Sequence, residues 1–139
     1  MTDAWSAADV NGEPPALAGL VCEALQCLAY SVHGEVIDPA NTIHLRFDGV
    51  CRRLYFDTGI VFWRPDEGQP EPYAIDEEGT AWAVIDVAAD AGVVGARLVD
   101  YDMRWKETFA EVNFRFESCT VVFRNTYADD VTTWRIERP

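Results

Sequence analysis

From Thr42 to Arg64 the chain reads TIHLRFDGVCRRLYFDTGIVFWR, three apolar runs of strand length separated by Asp48-Gly49 and Thr58-Gly59. An Xaa-Gly pair between alternating hydrophobics signals a two-residue hairpin, because a type I′ turn needs φ > 0 at both central positions, and Asp-Gly is its strongest form. The pattern predicts a three-stranded antiparallel meander. In its first strand Ile43, Leu45 and Phe47 share one face while His44, Arg46 and Asp48 share the other. The run Ile60-Val61-Phe62-Trp63 does not alternate, which predicts a strand covered on both faces near the middle of a sheet.

Upstream, Leu17, Leu20, Val21, Ala24, Leu25, Leu28 and Val32 recur at helical spacing as one wide apolar stripe. Pro14-Pro15 suits the first turn of such a helix, and His33-Gly34 suits its end, a residue favoured at the negative pole followed by a C′ glycine. The spacing therefore predicts an amphipathic helix over 15–33 lying on the meander. Residues 1–13, small, polar and acidic, read as a flexible tail ahead of a single domain over 14–139.

Downstream of the meander, residues 65–79 hold three prolines, two glycines and six acids, which predicts a surface loop with room for a short strand at 72–76. Residues 80–92 fit two descriptions. Trp82, Val84 and Ile85 suit a strand leading into a short helix VAADA, capped by Asp86 and ended by Gly92; one helix over 81–91 fits as well. The last third alternates again: Val99, Tyr101, Met103 and Trp105; Val112, Phe114 and Phe116; Cys119, Val121 and Phe123; Trp134 and Ile136. The fold class predicted is α+β, one N-terminal amphipathic helix packed on a mainly antiparallel sheet of about six to eight strands in two meanders.

Composition adds the charge. With 24 Asp and Glu against 11 Lys and Arg the net charge is −13. Such a field disfavours nucleic acid and anionic membranes and attracts cationic partners. Ten of the basic residues are Arg and only Lys106 is Lys, the usage of a GC-rich bacterial genome. No basic n-region with an apolar run opens the chain and no 18 apolar residues run together, so a cytoplasmic protein is expected, without membrane association. Cys22, Cys27, Cys51 and Cys119 form no CxxC pair and the only histidines are His33 and His44. The thiols read as small buried hydrophobes in a reducing compartment, with no metal site and no cofactor.

Between Arg64 and Arg97 there is no Lys or Arg but eight acids: Asp66, Glu67, Glu71, Asp76, Glu77, Glu78, Asp86 and Asp90. On a proline-bearing loop these charges point outward, and nearby Tyr73 and Trp82 are aromatic anchors of the kind interface hot spots use. The candidate partner-binding set is therefore Asp66, Glu67, Glu71, Tyr73, Asp76, Glu77, Glu78 and Trp82. Asp100 and Asp102 share a strand face and could serve as acid–base groups, but Arg104 and Arg115 stand in the same rows and suit cross-strand ion pairs. His44 with Cys51 across the Asp48-Gly49 turn lacks an orienting acid in sequence. Asp129-Asp130 lacks the spacing of a calcium loop, and no P-loop, GxGxxG or GxSxG is present. No catalytic residue is assigned. The expectation is an acidic protein-binding module, of the kind that neutralises a basic effector as immunity and antitoxin proteins do; the alternative is a ligand-binding domain or enzyme using carboxylates in a helix–sheet pocket.

Overall fold

The computed structural model describes residues 9–139. Of the tail expected over 1–13, residues 1–8 lie outside the described residues, and the remainder includes a two-residue strand, β1 (Val10–Asn11). Then β2 (Cys22–Val32), β3 (Glu35–Phe47), β4 (Val50–Asp57) and β5 (Ile60–Pro65) run as an antiparallel meander. Its three connections are two-residue turns with both residues left-handed: His33-Gly34 at φ 49° and 81°, Asp48-Gly49 at 46° and 78°, Thr58-Gly59 at 46° and 84°. The second and third are the hairpins that the Xaa-Gly pairs predict.

The first overturns the N-terminal helix. Residues 15–33 form no helix; Cys22–Val32 is a strand, and His33-Gly34 is a hairpin turn rather than a helix end. Of the seven stripe residues only Leu17 and Leu25 are buried, whereas Cys22, Leu25, Cys27 and Ala29 face the core. That set alternates from Leu25 onward, and a register shift between Cys22 and Ala24 inserts one extra residue before it. The resulting three-residue step from Cys22 to Leu25 imitates a helical interval, which is how a bulged strand gave a helical period. Pro14-Pro15 opens an extended crossing segment, in which Pro15 O accepts from the Tyr101 hydroxyl at 2.5 Å.

After β5 the chain forms β6 (Tyr73–Ile75), one 3-10 turn at Asp76–Glu78, β7 (Thr80–Asp86) and α1 (Val87–Ala91). Residues 80–92 thus follow the strand-plus-short-helix description: Asp86 Oδ1 accepts from Ala89 N, and Gly92 ends α1 at φ 71°. A second meander completes the fold: β8 (Leu98–Trp105), β9 (Phe109–Phe116), β10 (Thr120–Thr126) and β11 (Val131–Glu137). With 63% of the described residues in strands and 6% in helices, the fold is mostly β rather than α+β. It has a seven-stranded sheet in the order β1-β5-β4-β3-β2-β7-β6 and a four-stranded sheet in the order β11-β10-β9-β8, not one sheet of six to eight strands under a helix. β5 is not central either, since only the two residues of β1 lie beyond it; Val61 and Trp63 face the core while Ile60 is 37% exposed. Phe62, on the outward side, escapes water by stacking on Tyr55, 4.9 Å away and 3° from parallel.

The core lies between the sheets. Leu25, Cys27, Ile43, Leu45, Phe47, Leu54, Val61 and Trp63 meet Met103, Val112, Phe114, Val121 and Phe123. Phe47 packs on Phe114 and Phe116, and Trp63 sits edge-on to Tyr101 with its indole N–H directed at Met103 Sδ, 3.4 Å away. No helix among the described residues is long and apolar enough to cross a membrane.

A clasp fixes the sheets to each other at the β4–β5 turn. Gly59 N donates to Asn125 Oδ1 (2.8 Å), Thr58 N to Asp130 Oδ1 (2.8 Å), and Trp105 Nε1 donates to Gly59 O (2.8 Å). A side chain at Gly59 would stand 2.3 Å from the Tyr127 ring. Gly59→Ala should therefore lose at least the ~1–2 kcal/mol of a left-handed non-glycine residue, read as a lower urea midpoint with unchanged m-value. In the same melts Leu25→Ala should lose about 2–5 kcal/mol and Leu28→Ala, half-buried on the opposite strand face, about 1. Equal losses at 25 and 28 would restore the helical stripe.

Candidate functional site

The eight partner-binding candidates fall into two groups. Seven residues, 66–72, carry the chain from β5 to β6, which are separated in the sheet by β4, β3, β2 and β7. This strap passes over the outward sheet face. Asp66 N donates to Cys51 O on β4 (3.3 Å), and Asp66 Oδ2 lies 2.8 Å from His44 Nδ1 on β3. Thr42 Oγ1 is 3.0 Å from the other ring nitrogen, so the imidazole is held at both ends. Glu67, Gly68, Gln69 and Pro70 roof a cavity of about 240 Å³ whose floor includes Gln26, His44, Arg46 and Cys51. Asp66 is thus engaged with the protein itself rather than displayed, while Glu67 and Glu71 are exposed.

The second group is the free edge of the sheet. Alternation puts Tyr73 of β6, Trp82 of β7 and Tyr30 of β2 in one outward row, because Tyr73 pairs with Trp82 and Trp82 with Tyr30. Tyr73 stacks on Trp82 at 4.3 Å and 11°, and Trp82 on Tyr30 at 4.8 Å and 36°. Tyr73 is 54% exposed. The 3-10 turn places Asp76, Glu77 and Glu78 at the tip of the β6–β7 hairpin, all exposed and, among the described residues, without an ion pair. Gly79 closes the turn at φ 68°, its carbonyl accepts from His33 N (2.7 Å), and the His33 ring lies against it. Three Pro residues before β6 and its length of three residues leave little ladder for unwanted strand pairing. Tyr30 is the member that sequence reasoning missed; a strand reading of 22–32 would have brought it beside Trp82.

The carboxylates weighed for acid–base work are occupied. Arg115 Nε is 2.6 Å from Asp100 Oδ1 and its Nη1 2.7 Å from Asp102 Oδ2; Arg104 and Asn113 also donate to Asp102, at 3.1 and 2.9 Å. Burial alone would raise the Asp102 carboxyl, but hydrogen bonds from Asn113, Arg115 and Arg104 and the Arg115 charge hold it below the ordinary value. Next to it Glu111 takes Arg124 and Arg135. These are the cross-strand ion pairs that the alternation suggested. Asp129-Asp130 is a turn in which Asp130, at φ 54°, binds Thr58 N and Asn125. Among the described residues no group of three or more His, Cys, Asp or Glu is placed to hold a metal ion.

The thiols divide differently from expectation. Cys22, Cys27 and Cys119 are buried, but Cys51 is half-buried and lines the strap cavity. Burial, then Asp86 and Glu23, pushes the Cys22 thiol up to about 12, and burial, then Asp38, does the same to Cys27.

Comparison with protein-family models, with curated proteins and with solved structures finds no match to this chain.

Two measurements follow from these environments. A carboxyl held below its ordinary pKa contributes stability that is complete above the ordinary value, near 3.8, and is lost as pH falls through the lowered one. The gap in melting temperature between wild type and Asp102→Asn should thus be widest at neutral pH and close in acid; a gap independent of pH would mean that Asp102 acts through shape. With an aromatic disulfide reagent, one thiol of the native protein should react readily and the others only after denaturation. A native count of zero or four would contradict the burial.

Proposed function

We propose that the chain is a protein-binding module that engages a cationic protein through the β6–β7 edge, in the manner of an immunity or antitoxin protein neutralising a basic effector. One observation carries this reading: an exposed aromatic anchor, Tyr73 stacked on Trp82, stands beside three unpaired carboxylates at a sheet edge. Interface hot spots favour such anchors, and rim charges of one sign steer a partner of the other. The net charge of −13 acts in the same direction at longer range. The acid–base alternative draws no support from Asp100 and Asp102, whose oxygens are taken up by Arg115, Arg104 and Asn113. A cytoplasmic bacterial setting, where such inhibitors meet their effectors, belongs to this proposal.

The test is kinetic. With a basic partner captured at low salt, Asp76→Asn, Glu77→Gln and Glu78→Gln together should slow association about tenfold with little change in dissociation or in melting temperature. Raising salt to about 0.5 M should reproduce most of that loss in the wild type, as the Debye length shrinks to a few ångströms. Tyr73→Ala should instead speed dissociation. An association rate indifferent to both the triple substitution and salt would leave the acidic turn as a solubility feature and remove this reading.

A further inference from the structure

The outward-facing aromatic side chains of both sheets share one habit. On β4 and β5, Tyr55 and Phe62 stack on each other, with the Arg53 guanidinium over Tyr55 at 5.7 Å and that of Arg64 over Phe62 at 5.4 Å. On the outer face of the second sheet, Arg124 lies over Phe109 at 3.8 Å. Each of these rings carries a planar cation, which covers apolar surface while keeping its charge wet. The Tyr30–Trp82–Tyr73 ladder is the exception. No guanidinium is placed over it among the described residues, and the segment from 65 to 96 contains no Arg or Lys that could serve. Its terminal ring, Tyr73, uses one face on Trp82 and is 54% exposed.

A second observation sits on the same face. Thr80 pairs with Ile75 on one side and Val32 on the other, one row along from Trp82, and is 9% exposed. Its Oγ1 is the one buried hydroxyl among the described residues with no hydrogen-bond partner. That oxygen is closed off from solvent and is not part of the receptor; an exposed aromatic platform without its cation, on a hairpin whose tip carries three acids, describes a receptor for a donor-rich planar cation.

We infer that the missing cap is supplied in trans: an arginine side chain of the partner stacks on the free face of Tyr73, its N–H groups directed to carboxylates of the hairpin tip. This rests on the reading that the edge binds a cationic protein, and it adds which cation. Guanidinium is favoured over ammonium because it is planar, more weakly hydrated and presents several donors in a fixed fork. Lysine would satisfy the field of Asp76, Glu77 and Glu78 equally well but not the ring. The recognition element is therefore an exposed arginine on the partner, and exchange of that residue for lysine should be read as a loss although charge is kept.

The experiment compares hexa-arginine and hexa-lysine peptides binding to the full chain at low salt, followed by tryptophan fluorescence and calorimetry. Hexa-arginine should bind about fivefold or more tightly than hexa-lysine, in keeping with a stacked cation–π contact. Tyr73→Ala should bring the two peptides to the same affinity, while Tyr73→Phe, which keeps the ring, should preserve the preference. Urea melts of both variants show whether the edge stays folded, and Glu77→Gln should weaken both peptides in parallel. Equal affinities for the two peptides in the wild type, or a preference that survives Tyr73→Ala, would overturn the arginine inference while leaving a cation-binding edge intact. Failure of both peptides to bind at low salt would overturn the edge itself and the inference with it.

Discussion

The contact on which the two-sheet arrangement turns is the clasp at Gly59. A sandwich held only by apolar packing can slide, because burial is non-directional; directional bonds between the sheets, at this clasp and from Thr132 N to Asp38 Oδ1 (2.7 Å), remove that freedom. Here a two-residue hairpin turn of the first sheet is gripped by three groups of the second: Asn125 takes its N–H, Trp105 gives to its carbonyl, and the Tyr127 ring occupies the space a side chain would need. Asn125 is fully buried, and its amide also donates to Asp130 and Thr132. A buried amide with its donors and acceptor all used specifies a unique partner, whereas an unfilled one would be costly. With the sheets so fixed, Phe47 stacks on Phe114 and Trp63 sits edge-on to Tyr101.

Because the core takes the inward rows of β2 to β5, the outward rows of the seven-stranded sheet are left to find their own cover. Two devices provide it: rings stacked on rings and capped by arginines, and the strap drawn across His44 and Gln26. Toward β6 neither device operates. The aromatic ladder reaches the edge bare, on a hairpin whose tip carboxylates make no ion pair among the described residues. The candidate site is thus where the fold's means of self-satisfaction stop, and this places it at the edge farthest from β1 and β5.

Turn chemistry was the most legible part of the chain. Asp48-Gly49 and Thr58-Gly59 could be read from residue types, since positive φ at consecutive positions restricts them sharply. The last meander was legible from alternation except at the start of β8, where a register shift buries Leu98 and leaves Val99, expected in the apolar row, 58% exposed; Asp86 with Gly92 was legible from the demands of a cap. Periodicity failed where a bulge intervened. Between Cys22 and Leu25 one inserted residue shifts the phase, and the same apolar set then satisfies a helical template; His33-Gly34, which serves a helix end and a hairpin equally, could not arbitrate. The same error hid Tyr30 from the site. The exposure of Tyr73 and the acids of the turn were legible from the Pro- and acid-rich composition, but the engagement of Asp66 by His44 was not, since it depends on the chain turning back across β4 onto β3 after β5.

That path has a mechanical side. From β5 to β6 the sheet order interposes five strand spacings of about 4.8 Å, roughly 24 Å if the sheet were flat, and the strap crosses it with seven residues whose contour is at most about 29 Å between the strand ends. The strap also bends at Gly68 and spends part of its length roofing the cavity, so the twist of the sheet must bring the two strand ends closer than the flat spacing. Lengthening it would cost little entropy, but shortening it by two residues would leave too little chain both to cover the cavity and to reach β6. Its proline content then serves stiffness: a chain with few accessible states loses little entropy in being held to one path.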